Sequence, residues 1–319
     1  MDNTKERGML LTGATGFVGD AILKKKPDAF VLGRSCPVNF SVDTEGKYIR
    51  RELSGNEDYT GCFDDIGVII HCAARVHVMN EKTSEPLQAF RDINVAGTLN
   101  LAKQAAAAGV ERFVFISSIK VNGEGTALNC IYTPSDQAAP EDAYGISKYE
   151  AEQGLIELSK ETGMDLVIIR PTLVYGPSVK GNFLNLLKLS KLPIPLPFGL
   201  VKNKRSMVYL ENLVDLIITC IDHPKAVNRI FLASDGDDLS LARLLLLIKT
   251  AMNKSPFLLS IPIGLFILLG KLFRRSTVVD RLIGNLQVDN SDAKVYLGWS
   301  APYTVEQGIK ATVDDFLKK

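Results

Sequence analysis

The chain has 319 residues, enough for one large core or two smaller ones, and its 37 Lys and Arg against 36 Asp and Glu leave it almost neutral. That balance gives no electrostatic footprint for nucleic acid, so none is expected as a partner. The five cysteines, Cys36, Cys62, Cys72, Cys130 and Cys220, are odd in number and lack metal-ligand spacing, and Met1 to Arg7 is not followed by an apolar signal core. No metal and a cytoplasmic location are the resulting expectations.

The chain opens on Met9-Leu10-Leu11-Thr12-Gly13-Ala14-Thr15-Gly16-Phe17-Val18-Gly19. An apolar strand, a glycine-rich turn and the start of a helix follow one another, and Gly13, Gly16 and Gly19 stand at G-x-x-G-x-x-G spacing. Bare glycines let backbone amides and a helix N-terminus approach a pyrophosphate, so Gly13, Thr15, Gly16, Phe17, Val18 and Gly19 are candidate dinucleotide contacts. The second strand, Ala29 to Gly33, ends at Arg34-Ser35, about 20 residues past Gly13, where an NAD-binder usually carries an acid. A cation and a hydroxyl there suit a 2′-phosphate, which favours NADP(H) over NAD(H); the plain alternative is a solvated arginine.

Cys36 to Tyr48 reads as a loop, Ile49 to Leu53 as a short third strand and Ile66 to Ala74 as a fourth. His71 at its end reads as a packing residue. Ala89 to Gly109 predicts a long crossover helix, Arg112 to Ser118 a fifth strand ending in two hydroxyls, and Asn122 to Glu141 a polar loop. The next helix carries Tyr144 and Lys148, and Asp165 to Arg170 is a further strand that stops at Pro171. Past Tyr175-Gly176-Pro177 the alternation loosens; Met207 to Asp222 predicts strand then helix, and Arg229 to Ala233 a strand returning to the first unit. The expected fold is α/β, a doubly wound parallel (Rossmann) sheet with a smaller, mainly helical C-terminal domain. Residues 1–175 with 204–235 form the dinucleotide unit in this reading, and 176–203 with 236–319 the substrate unit. Pro256 to Gly270 is apolar but too short to span a bilayer; it predicts a buried or surface-amphipathic helix, with Lys271, Arg274 and Arg275 leaving a weak membrane-surface contact as the lesser alternative.

Tyr144 and Lys148 stand four apart and share a helix face. A phenol, with a reference pKa of about 10, becomes a proton relay when positive charge favours its phenolate. Ser118, at the carboxyl end of a strand, can hold a carbonyl or carbinol oxygen while hydride moves. Ser118, Tyr144 and Lys148 are therefore the candidate catalytic set, and they argue against a non-catalytic dinucleotide sensor.

These residues, together with His71-Cys72-Ala73-Ala74, Asn94-Val95-Ala96-Gly97-Thr98, Ser117-Ser118 and Arg170-Pro171 through Tyr175-Gly176-Pro177, give the chain a resemblance to the NAD-dependent epimerase/dehydratase family of extended short-chain dehydrogenases/reductases. The resemblance implies cofactor contacts at Ala73, Ala74, Asn94, Ser117, Lys148 and Pro171, and a UDP-sugar substrate held by Ser118, Asn182, Phe183, Arg205 and Arg281. It also implies a homodimer through the helices at 89–108 and 144–158. A dehydratase of this family carries Asp-Glu just after the strand-five hydroxyl, where Ile119 and Lys120 stand here. Of the remaining reactions, Arg34-Ser35 favours a reductase, with a 4-epimerase holding bound NAD as the alternative; the stretches Ser117 to Glu124 and His71 to Val78 resemble a bacterial surface-polysaccharide subgroup, which implies reduction of the C4 keto group of a UDP-4-keto-6-deoxy-N-acetylhexosamine.

Overall fold

The computed structural model describes residues 7–38, 40, 47–76, 85–265, 268 and 282–319. Its centre is a seven-stranded, fully parallel sheet of β1 (Gly8–Thr12), β2 (Phe30–Gly33), β3 (Tyr48–Arg50), β4 (Ile66–His71), β5 (Arg112–Ile116), β6 (Asp165–Pro171) and β9 (Arg229–Ala233), in the order β3-β2-β1-β4-β5-β6-β9. β7 (Leu173–Tyr175) and β8 (Met207–Tyr209) pair separately, also in parallel. Strand order reverses between β1 and β4, so a crevice opens at their carboxyl ends, the usual ligand position in such sheets.

The strands are apolar throughout because both faces are covered. Along β1, β4, β5 and β6 the pleat sends Leu11, Ile70, Val114 and Ile169 to one face, against α1 (Phe17–Lys25) and α6 (Leu210–Asp222). It sends Leu10, Ile69, Phe113, Phe115 and Ile168 to the other, against α3 (Thr98–Ala107) and α4 (Ala143–Thr162). A third core joins β7 and β8 to α5 (Gly181–Lys191), α7 (Leu241–Ala251) and α9 (Val305–Lys318); α8 (Ser291–Leu297) packs on the sheet side beside β9.

Four expectations are corrected. The crossover is not one helix: α2 (Pro86–Phe90) runs into a π-helical turn, Arg91–Gly97, before α3. The wider turn lets Asn94 point inward, and Gly97 lies so close to the Leu53-Ser54 backbone that a Cβ would come within 2.9 Å of Leu53. β3 stops at Arg50, and β5 at Ile116, where Ser118 begins a 3-10 turn. Of the apolar stretch 256–270, the described Phe257, Leu259, Ile263, Leu265 and Leu268 are exposed, which overturns the buried alternative and not the surface-amphipathic one; Lys271, Arg274 and Arg275 lie outside the described residues. Among the described residues no helix is long and apolar enough to cross a membrane.

α4 is anchored from beneath by a buried ion pair. Arg170 on β6 meets Glu152 on α4 through Nε to Oε1 at 3.0 Å and Nη2 to Oε2 at 2.5 Å, and donates from Nη1 to Asn122 Oδ1 at 2.9 Å. Both side chains are nearly inaccessible. Removing one partner strands a desolvated charge, so Glu152→Ala is expected to lower the unfolding free energy in chemical denaturation by about 3–5 kcal/mol. Lys310→Ala, which breaks the exposed Lys310–Asp314 pair at 2.9 Å, is expected to change it by less than about 0.5 kcal/mol.

Candidate active site

The glycine turn sits at the carboxyl end of β1. Gly13 has φ +72, and a Cβ there would lie 2.6 Å from the Ala73 amide nitrogen. A Cβ on Gly19 would strike the Gly13 carbonyl, so α1 can seat this close to β1 only without one. Gly16 is the N-cap of α1 and supplies no side-chain hydrogen bond, which leaves the first-turn amides, with Phe17 and Val18, open to an anion. Thr15 and Gly16 are exposed at the turn, and Arg34 and Ser35 are exposed just past the end of the neighbouring β2.

β4 ends beside this turn. His71 is fully buried beside the rings of Phe113 and Phe115, its Nδ1 2.8 Å from Thr12 Oγ1 and its Nε2 3.0 Å from Thr98 Oγ1. Burial, with the Lys148 charge, holds it down to about 3, so it is a neutral tie between β1, β4 and α3. The Ala73 amide donates to Thr12 Oγ1 at 3.2 Å, and Ala74 follows, half-buried. Asn94 has its side chain committed: Oδ1 accepts from the Arg75 amide at 2.7 Å, while Nδ2 donates to the Arg75 carbonyl and to Ser147 Oγ, each at 3.0 Å. It therefore fixes the 73–75 loop to α4.

Ser117 and Ser118 leave β5 in opposite directions. Ser117 Oγ is buried with no hydrogen-bond partner among the described residues. Ser118 is half-buried, and its Oγ accepts from the Lys120 amide at 3.3 Å, which leaves the hydroxyl proton available to donate. Asp142 caps α4, accepting from the Gly145 amide at 2.8 Å. Gly145 lets the helix close on the turn below: a Cβ there would stand 2.9 Å from the Lys120 carbonyl oxygen. Ser118 and Tyr144 thus lie on segments in direct contact. Tyr144 meets Phe90 edge-on at 6.2 Å and is pushed up to about 12, first by burial and then by the Asp142 charge.

Lys148, one turn further on, is 1 % exposed, with Nζ 4.0 Å from the centroid of the Phe115 ring. Burial drives it down to about 7, against the opposing pull of Glu152 and Cys72. A buried amine titrating near neutrality in a crevice is a functional arrangement that works against stability.

Pro171 closes β6, paired with Ala233 of β9. The residues expected at the substrate lie on other segments. Asn182 is exposed at the start of α5. Phe183 offers no open ring: helical spacing turns it with Leu187 into the third core, stacked on Tyr175 at 5.3 Å and 13°. Arg205 is half-buried on the strip beside Leu239 and Leu286, Nη1 3.3 Å from the Gly284 carbonyl. Arg281 lies outside the described residues. Sequence reasoning missed Asp142, Gly145, Ser147 and Lys120. Only Asp142 carries a local signal, as a favoured N-cap residue ahead of the helix.

The uncapped helix, the glycine cradle and the orphaned Ser117 hydroxyl fit a nicotinamide dinucleotide. Among the described residues no group of three metal-ligating side chains comes together.

The Lys148 value sets a pH dependence for stability. The unfolded chain keeps this amine charged up to about 10.5 and the folded one only below about 7, so between them the unfolded state binds more protons and stability rises with pH. Lys148→Met is expected to raise the melting temperature of the cofactor-free protein at and below neutrality, and the gain should shrink as pH climbs from 7 towards 10.5 in thermal melts. A gain that grows with pH would contradict the buried-ammonium account.

Comparison with known proteins agrees with this geometry. The model of the NAD-dependent epimerase/dehydratase family matches residues 9–233. A UDP-glucose 4-epimerase of Vibrio cholerae is 48 % identical over 99 % of this chain and 98 % of its own length. An N-acetyl-α-D-glucosaminyl-diphospho-ditrans,octacis-undecaprenol 4-epimerase of Escherichia coli O157:H7 is 29 % identical over 96 % of this chain and 94 % of its own. In fold, the UDP-glucuronic acid 4-epimerase of Bacillus cereus in complex with NAD superposes with a TM-score of 0.76 at 19 % identity, over 98 % of this chain and 99 % of that one. With its glycine turn, its Ser-Tyr-Lys crevice and a match over most of its length, this chain belongs to the NAD-dependent epimerase/dehydratase family and is an enzyme of the short-chain dehydrogenase/reductase type.

Proposed function

We propose that this enzyme is a 4-epimerase of a UDP-hexose or UDP-N-acetylhexosamine. The observation that carries the reading is the 48 % identity, along almost the whole of both chains, to a UDP-glucose 4-epimerase. Sequence alone favours a 4-keto reductase; the relatives named as 4-epimerases reverse that order. Position 120 also bears a lysine engaged with Glu124 and Asp142, so the acid that a dehydratase of this family places there is missing.

In this reading the amides of Gly13, Thr15, Gly16, Phe17, Val18 and Gly19 hold the pyrophosphate, Arg34 and Ser35 face the adenosine ribose, and Ala73, Ala74, Ser117 and Pro171 line the rest. Bound NAD would supply hydride acceptance and return, and a positive charge when oxidised. Ser118 donates a hydrogen bond to the C4 oxygen. Tyr144 takes that oxygen's proton and gives it back, while Lys148, titrating near neutrality, keeps a cation within reach of the phenol. Residues 176–203 and 236–319 hold the UDP-sugar, with Asn182, the Phe183 backbone, Arg205 and Arg281 as its contacts, and two protomers pair through α3 and α4.

Epimerisation is tested by incubating NAD-loaded protein with UDP-galactose and with UDP-N-acetylglucosamine and following the C4 epimer by NMR. Tyr144→Phe is expected to slow turnover by about 10²–10⁴-fold with NAD binding unchanged; undiminished turnover would remove the phenol from the mechanism.

One observation favours the second reading, 4-keto reduction with NADPH: the exposed cation and hydroxyl of Arg34 and Ser35 at the end of β2. If the 2′-phosphate binds there, Arg34→Ala weakens NADPH about tenfold or more in fluorescence titration and NADH little. Equal weakening of both refutes it. Stoichiometric consumption of NADPH by UDP-4-keto-6-deoxy-N-acetylglucosamine, with no epimer from the UDP-hexoses, would put the reductase first.

A further inference from the structure

Lys120 joins the two halves of the catalytic set. Its amide donates to Ser118 Oγ at 3.3 Å, and its carbonyl abuts Gly145, the residue after Tyr144. Its ammonium, only partly exposed, lies 2.5 Å from Asp142 Oδ2 and 2.7 Å from Glu124 Oε1. Asp142 uses its other oxygen, Oδ1, to cap α4.

Asp142 serves two opposed requirements. As an ionised N-cap it satisfies an orphan amide and suits the positive end of the helix. Its charge also stands two residues before Tyr144 and resists formation of the phenolate. Among the described residues the charged groups close to the segment of Tyr144 include Asp142 at the N-cap of α4, Lys148 on α4, Lys120 with its second partner Glu124 on the turn below, and Arg75, whose guanidinium lies 5.7 Å from the centre of the Phe90 ring that meets Tyr144. Within this set Lys120 is the cation in direct contact with Asp142.

We propose that Lys120 is a positioning residue, which ties the Ser118 turn to the start of the Tyr144 helix and partly offsets the Asp142 carboxylate, so that the ionised cap opposes the phenolate less than it would alone. The inference rests on the role of Tyr144 given under Proposed function. It also explains a departure within the family: a lysine stands where a dehydratase carries an acid.

The test titrates Tyr144 in the NAD⁺-loaded protein by tyrosinate absorbance, as the difference from the same protein carrying Tyr144→Phe. Lys120→Met is expected to move the titration up by about 0.5–1 pH unit. Lys120→Arg should restore it, and on an Asp142→Asn background, which keeps a capping oxygen, Lys120→Met should move it no further. Lys120→Gln serves in the same series if the methionine variant fails to fold. An unmoved titration in the neutral variants, or an equal shift with Asp142→Asn present, overturns the proposal. Intact sugar turnover in Tyr144→Phe would instead overturn the mechanism, and the titration would still judge Lys120.

Discussion

The buried contact of Arg170 with Glu152 and Asn122 is the constraint on which the site depends. It joins β6, the middle of α4 and the turn after Ser118 at one point that water does not reach. A helix held only by apolar contacts can slide or rotate at small energetic cost. One held by a bidentate ion pair cannot do so without stranding a charge. Tyr144 and Lys148 lie on the same helix two turns and one turn before Glu152, so their register against Ser118 is set by that pair together with the close seating of Gly145 on the Lys120 carbonyl.

Much of the crevice is arranged at the expense of stability. Lys148 is kept in apolar surroundings against a phenylalanine ring, Ser117 keeps an unpartnered hydroxyl, and the first turn of α1 has no side-chain cap. Each is unfavourable for the empty protein, and each is a group that the proposed dinucleotide site would use. His71 is the counter-example in the same shell. Both its nitrogens are bonded and its ring is fully buried, so it contributes to the sheet and has nothing left to offer chemistry.

The charges near the phenol divide by function. Asp142 starts the helix, Lys148 is the buried cation of the proposed mechanism, and Lys120 pairs with the cap. Arg91 and Glu150, paired across α4 and the π-helical turn, form a more exposed contact of the same kind and lie outside this set. The three-dimensional arrangement thus brings Lys120 to Asp142, a contact that its place in the chain, two residues after Ser118, does not reveal.

By itself the sequence determined what short-range chemistry dictates. Short apolar runs bounded by turn residues read as strands covered on both faces, Gly13, Gly16 and Gly19 as a tight turn opening a helix, and Tyr144 and Lys148, four apart, as neighbours on one helix face. The tertiary structure decided what depends on partners distant in the chain. Glu152 finds Arg170 18 positions away, Lys120 finds Asp142 22 away and Asn94 reaches Ser147 53 away, through a π-helical turn that no periodicity announces. It also turned Phe183 into the core and left Phe257 and Leu259 outside it. Periodicity and turn chemistry act between neighbours and are written in the chain. Ion pairs, close glycine contacts and the sharing of apolar surface between elements exist only once the elements meet.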